Sequence, residues 1–244
     1  MAHVRTTSPT AEFELPDAYR NQAPGGYTAD AHDSLESLIG DGAGAVPFET
    51  VSIEARESAP ASWWSRYSFA VVRRGYLIRA RVAPDGKRTS IDAVGPGCCF
   101  PIDRTAMVQG KPAGTAYAVT RALLSMCDED AFARALGAGG AMVLQLSRLE
   151  REAFARMERL ADARGRASAA SKVGALLCTL ADTLRPGQDD RRIPAEFLQR
   201  DLAGLLSIRH ESVCRVMRDL TKRGLIERVD RSIVLKDPSQ LDCA

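Results

Sequence analysis

Glu211 and Arg215 stand four residues apart in the run HESVCR, which puts both side chains on one side of any helix that contains them. An arginine can donate two hydrogen bonds to the O6 and N7 edge of guanine, and a carboxylate can accept one from the N4 amine of cytosine. The same spacing also suits a solvated ion pair on a helix surface, worth about 0.3–0.5 kcal/mol. The neighbours favour the first chemistry. Val213, Val216, Met217 and Leu220 fall on the opposite face at helical spacing, while Arg209, His210, Ser212, Cys214, Arg218 and Lys222 surround the pair or lie at the margin. A helix that is apolar behind and carries both Glu and Arg in front is suited to the major groove of DNA.

Such a helix needs elements to hold it. Upstream, Leu202, Leu205 and Leu206 form the inner face of a first helix, and Ser207 and Ile208 supply the turn. Downstream, residues 226–229 and 232–235 flank a turn at Asp230 and Arg231 and read as the two strands of a wing. The net charge of the whole chain is only +2, but residues 191–236 hold eleven Lys/Arg against six Asp/Glu, a local excess that attracts phosphates. Glu211 and Arg215 are the expected base readers. Arg209, Ser212, Lys222 and the wing residue Arg231 are the expected phosphate contacts.

Composition narrows the alternatives. The chain has 244 residues, 45% hydrophobic and 26% charged, enough for two globular domains. There is no apolar run long enough for a membrane span and no secretory signal core near residue 1, so a cytoplasmic protein without membrane contact is expected. The cysteines at 98, 99, 127, 178, 214 and 243 contain no C-x-x-C pair, and the histidines at 3, 32 and 210 are scattered, so no metal site and no disulfide scaffold are expected. No phosphate loop, nucleophile elbow or His–carboxylate cluster points to an enzyme, and no cofactor is required.

The organisation reads as α+β. Residues 1–45 are spotted with Pro and Gly and suggest a flexible arm. Residues 46–136 consist of short β-branched runs broken by turns and predict an antiparallel β-roll. Residues 137–164 predict a long helix. Met142, Leu146, Leu149, Ala153, Met157 and Leu160 form a near-heptad stripe along it, which predicts the interface of a parallel homodimer. Residues 165–244 then form a winged helix-turn-helix unit.

The run LAGLLSIRHESVCRVMRDLTKRGLIER with the tail VLKDPSQL, the hairpin ARVAPDGKRTSIDAVGPGCCF and the long helix together resemble the Crp/Fnr superfamily of bacterial transcription regulators over about residues 48–241. The resemblance implies a roll similar to cyclic-nucleotide-binding domains, a homodimer on a pseudo-palindromic double-stranded DNA site, and RNA polymerase as a further partner. Glu211 and Arg215 map onto the superfamily's shared readers, whereas His210 and Cys214 depart from its patterns.

In cyclic-nucleotide binders of this superfamily a Glu holds the ribose and an Arg the phosphate. Here Pro101 and Ile102 stand where Gly-Glu is expected, and Gly114 precedes Thr115 in place of Arg. Control by cyclic AMP in the usual manner is therefore not expected. Cys98, Cys99, Lys111 and Thr115 are the candidate effector-pocket residues, with Lys111 as a substitute cation. A thiol response through Cys98 and Cys99 or through Cys214 is one alternative. A protein-interaction module built on the winged helix is another.

Overall fold

The computed structural model describes residues 48–83, 85–102, 107–108, 111–112, 114–137, 140–184 and 191–242. The expected arm at residues 1–45 lies outside them.

The N-terminal unit begins with β1 (Glu49–Ile53) and a short helix α1 (Ala61–Arg66). It continues through β2 (Tyr67–Arg74), β3 (Leu77–Val82), β4 (Arg88–Val94), β5 (Cys99–Pro101), β6 (Met107–Val108), β7 (Lys111–Pro112), β8 (Gly114–Ala118) and β9 (Ala122–Asp128). A four-stranded sheet in the order β1-β9-β2-β5 and a three-stranded sheet in the order β4-β3-β8 are both antiparallel, as expected for a roll. Their shared interior holds Val51, Ile53, Trp63, Tyr67, Val72, Leu77, Phe100 and Leu124. Strand β2 is apolar on both faces: Tyr67, Ala70 and Val72 enter that interior, while Phe69 and Val71 pack outward against helices. This explains its continuous apolar run, since a strand buried on both sides loses the alternation of a half-buried one. Gly75 makes the tight turn to β3 at φ +80, where a Cβ would lie 2.2 Å from the Arg121 carbonyl.

Two helices follow, α2 (Glu129–Gly137) and the long α3 (Gly140–Gly165). Along the stripe expected to face a partner, Leu146, Leu149, Ala153 and Leu160 are buried within this chain. Leu146 and Leu149 pack on Phe69, Val71, Cys99 and Cys127 of the roll, and Leu160 joins the core of the C-terminal unit. The stripe was correctly periodic, but periodicity does not specify which surface covers it. Met157 is half-buried, and the side chain of Met142 lies outside the described residues. Among the described residues, the large apolar side chains left exposed on α3 are Val143, Leu144 and Phe154, at 42%, 72% and 59%.

The inward face of α3 also carries a charge. Arg156 donates from Nε to Asp92 Oδ2 at 3.4 Å and from Nη2 to the Cys99 carbonyl at 3.1 Å. Arg79 approaches the same carboxylate at 3.8 Å, with its guanidinium over the Phe100 ring. Burial pushes the Asp92 carboxyl up, and the two guanidiniums pull it back. This cluster seats α3 on the roll.

The C-terminal unit comprises α4 (Ala169–Leu184), β10 (Arg192–Pro194), α5 (Gln199–Leu206), α6 (His210–Lys222), β11 (Ile226–Val229), β12 (Ser232–Leu235) and α7 (Pro238–Asp242). Its small sheet has the order β10-β12-β11. Its core is continuous with the outer face of the roll, where Tyr76, Ile78, Ala93 and Val119 meet α4 and α5. Gly174 of α4 lies under α7, so close that a Cβ there would fall 2.0 Å from the Leu241 carbonyl.

Substituting Asp92→Asn removes the shared counter-charge of two buried guanidiniums and is expected to cost about 3–5 kcal/mol of stability. Urea unfolding measures this, and a wild-type midpoint would remove the cluster from the forces that seat α3.

Candidate nucleic-acid interface

Helix α5 starts with the Leu198 N–H donating to Asp201 Oδ2 at 2.9 Å, so an acidic residue in the first turn satisfies an otherwise unpaired donor. It buries Leu202, Leu205 and Leu206 and ends at Ser207, whose φ is +56. The Ile208 N–H donates back to the Ala203 carbonyl at 3.1 Å, closing a left-handed cap. Arg209 has extended backbone and precedes α6. Helix α6 buries Val213, Val216, Met217 and Leu220, the four residues expected on its rear face. The tight turn thereby sets the two helices against each other and turns the polar face of α6 outward.

Arg209, His210, Glu211, Arg215, Arg218 and Lys222 are exposed, while Ser212 and Cys214 are half-buried at the margin. Among the described residues, no ion pair joins Glu211 to Arg215, so neither charge is consumed by the other. Arg218 donates to the Cys214 carbonyl at 3.2 Å, one turn back along its own helix. A cleft of about 440 Å³ runs between α6 and the wing, and Arg218, Lys222 and Arg228 line it. Arg228 was counted in the local charge excess but not singled out, because an outward residue of a wing strand carries no spacing signal. Arg231, at the tip of the wing, is mostly exposed and pairs with Glu196 at 2.7 Å. Such an exposed pair is weak and open to exchange for a phosphate.

Cys214 has partners that the sequence did not announce. Its Sγ lies 2.7 Å from Gln199 Oε1 of α5 and 3.4 Å from His210 Nε2. The two residues that depart from the resembled patterns thus touch each other.

Three of the effector candidates are buried or half-buried. Cys99 is buried and Cys98 half-buried; burial pushes both thiols up, Cys99 to about 12. Thr115 is half-buried and lines a cavity of about 40 Å³ with Trp64, Arg79 and Pro101. The Lys111 side chain lies outside the described residues. The residues missed at this end are Arg79, Asp92 and Arg156. They are far apart in sequence, and only folding makes them one cluster. Among the described residues no group of His, Cys, Asp and Glu is arranged to hold a metal ion, and no helix is long and apolar enough to cross a membrane.

Fold and site together define a winged helix-turn-helix unit attached by a long helix to an antiparallel roll. Residues 171–244 match the model of the Crp-like helix-turn-helix domain. Solved structures share the wider α+β fold. FixK2 from Bradyrhizobium japonicum is 19% identical with a TM-score of 0.64, over 80% of this chain and 96% of its own. A mutant CooA from Carboxydothermus hydrogenoformans is 16% identical with a TM-score of 0.65, over 85% of this chain and 93% of its own. A cyclic nucleotide-binding domain containing protein from Listeria monocytogenes is 13% identical with a TM-score of 0.64, over 85% of this chain and 98% of its own. At such identities the likeness is one of fold. No protein of curated function matches the chain by sequence.

A thiol must ionise to attack an oxidant, so the raised Cys98, Cys99 and Cys127 thiols are expected to resist hydrogen peroxide at pH 8. Peptide mass spectrometry of the native protein checks this; sulfenic acid trapped first at Cys99 would contradict it.

Proposed function

We propose that this chain is a Crp/Fnr-type transcription regulator that reads double-stranded DNA through α6. The observation that carries the reading is the outward polar face of α6, with Glu211 and Arg215 one turn apart, in a unit that matches the Crp-like helix-turn-helix domain. Arg215 donates to guanine and Glu211 accepts from cytosine. Arg209, Ser212, Lys222 and Arg231 hold phosphates, with Arg218 and Arg228 at the cleft beside the wing.

The protein acts as a homodimer on a pseudo-palindromic site. Its interface is the outer side of α3 rather than the inward stripe: Val143, Leu144 and Phe154, with Met157 beside them. Phe154 and Met157 border an open hollow of about 530 Å³ between α3 and the roll residues Arg79 and Pro101. A second α3 laid against this side covers the exposed apolar surface, which a soluble monomer rarely leaves open along one helix.

Cyclic AMP is not the controlling ligand in the usual manner. The support is the residues themselves: Pro101 and Ile102 stand where the Gly-Glu of the nucleotide binders is expected, and Gly114 precedes Thr115 in place of the phosphate-holding Arg. A thiol response is the second reading. It falls to Cys214, whose sulfur sits beside His210 on the DNA-facing side. Equal DNA affinity before and after peroxide treatment would sink it.

Selection from random duplexes followed by mobility shifts over a salt series tests the main reading. Arg215→Ala is expected to cost about 1–3 kcal/mol on the selected site and to relax preference at one base pair. A selected site bound no better than its scrambled version would reject sequence reading. Phe154→Lys places a charge in the proposed interface and is expected to yield monomers in sedimentation; an unchanged dimer would put the interface elsewhere.

A further inference from the structure

Helix α5 is gripped at both ends by arginines that belong to other parts of the fold. At its N-terminal end Arg56, in the segment after β1, extends Nη1 to Asp201 Oδ2 at 2.9 Å and Nη2 to the Glu196 carbonyl. The backbone of Arg56 has φ +70, an uncommon conformation for a residue with a side chain, and its N–H donates to the Ala118 carbonyl at 2.8 Å. The guanidinium also donates to the Tyr117 hydroxyl at 3.3 Å. Asp201 is therefore shared, capping its own helix through Leu198 and receiving the roll's arginine on the same oxygen.

At the other end Arg164, in the last turn of α3, donates from Nε to the Leu205 carbonyl at 2.7 Å and from Nη2 to the Ser90 carbonyl at 2.5 Å. One guanidinium thus joins α3, the roll and α5. A planar fork can hold two acceptors in fixed directions, which a lysine cannot reproduce. Between the two grips the Tyr76 ring of the roll meets Phe197 edge-on at 5.9 Å. The docked arrangement leaves the polar side of α6 exposed.

We infer that Arg56 and Arg164 are positioning residues for DNA reading, fixing α5, and with it α6, to the roll so that the reading face is presented in a set direction. The inference rests on the DNA-reading function proposed above. Two copies must meet two half-sites about one helical turn apart, and each added base pair rotates one half-site by about 35°. If both reading helices are rigidly held, the pair tolerates one separation. If α5 is loosely tethered, it follows the displaced half-site, and the benefit of linking two binding events is spread over several separations.

The test uses full-length protein and the site that wild type selects from random duplexes, with variants of that site carrying one or two extra base pairs between the half-sites. Wild type is expected to lose at least about tenfold in affinity with two added base pairs. Arg56→Gln and Arg164→Gln are expected to lose less than about threefold on the same insertion, while binding a single half-site within about twofold of wild type. Circular dichroism and melting establish that the variants are folded. Should either glutamine variant fail to fold, Arg164→Lys, which retains the charge and one of the two hydrogen bonds, is expected to fall between. Spacer discrimination equal to wild type in folded variants overturns the inference. Equal loss on single half-sites also overturns it, because the arginines would then support the helix itself rather than its direction. A wild-type chain that selects no site is a different failure, that of the DNA-reading proposal.

Discussion

The outer face of the β-roll is apolar where Tyr76, Ile78, Ala93 and Val119 lie, and something must cover it. The C-terminal unit does so. Its helices α4 and α5 bring Leu176, Leu180 and Leu205, and the segment before α5 brings Phe197, into one core with those roll residues. Removing such area from water is the dominant favourable term in folding, so the contact between the two units is part of each unit's interior rather than a meeting of finished surfaces. The turn at Ser207, the cap at Asp201 and the direction of α6 are set within that shared interior.

Helix α3 mediates in a different way. Its apolar stripe rests on the roll, but the stripe is interrupted by Arg156, a buried cation aimed at Asp92. Two apolar surfaces can slide past each other at little cost. A buried charge with one counter-ion has a single good position, because any shift leaves part of the pair desolvated and uncompensated. The ionic cluster therefore gives register to an interface whose area comes from leucines.

The helix-turn-helix half was legible because its signals are local. Four apolar residues at helical spacing, a short turn and two strands around Asp230 all lie within forty residues of one another, and each matches its observed element. The long helix was equally legible as a helix, and its stripe as a buried face. What covers the stripe was not, since a partner copy and the chain's own roll impose the same periodicity. The arginines that join the units were also out of reach. Arg56 meets Asp201 across 145 residues, and three of the acceptors used by Arg56 and Arg164 are backbone carbonyls, which every residue type possesses. Arg164-Gly165-Arg166 reads from sequence as a break in periodicity; the fold makes the first of these residues a junction.

Helix α7 has a consequence for the order in which the molecule is completed. Leu241 is fully buried, and its carbonyl occupies the space that a side chain at Gly174 would fill. Residues 238–242 thus pack onto α4 at Gly174. During synthesis the roll and α3 leave the ribosome while that segment is still untranslated, and domains generally fold in the order they emerge. The roll can then present its apolar outer face before its cover exists, and the winged helix can seal its core only after the segment that follows the wing has emerged. The unit that carries α6 therefore completes its core after the roll and α3 have been synthesised.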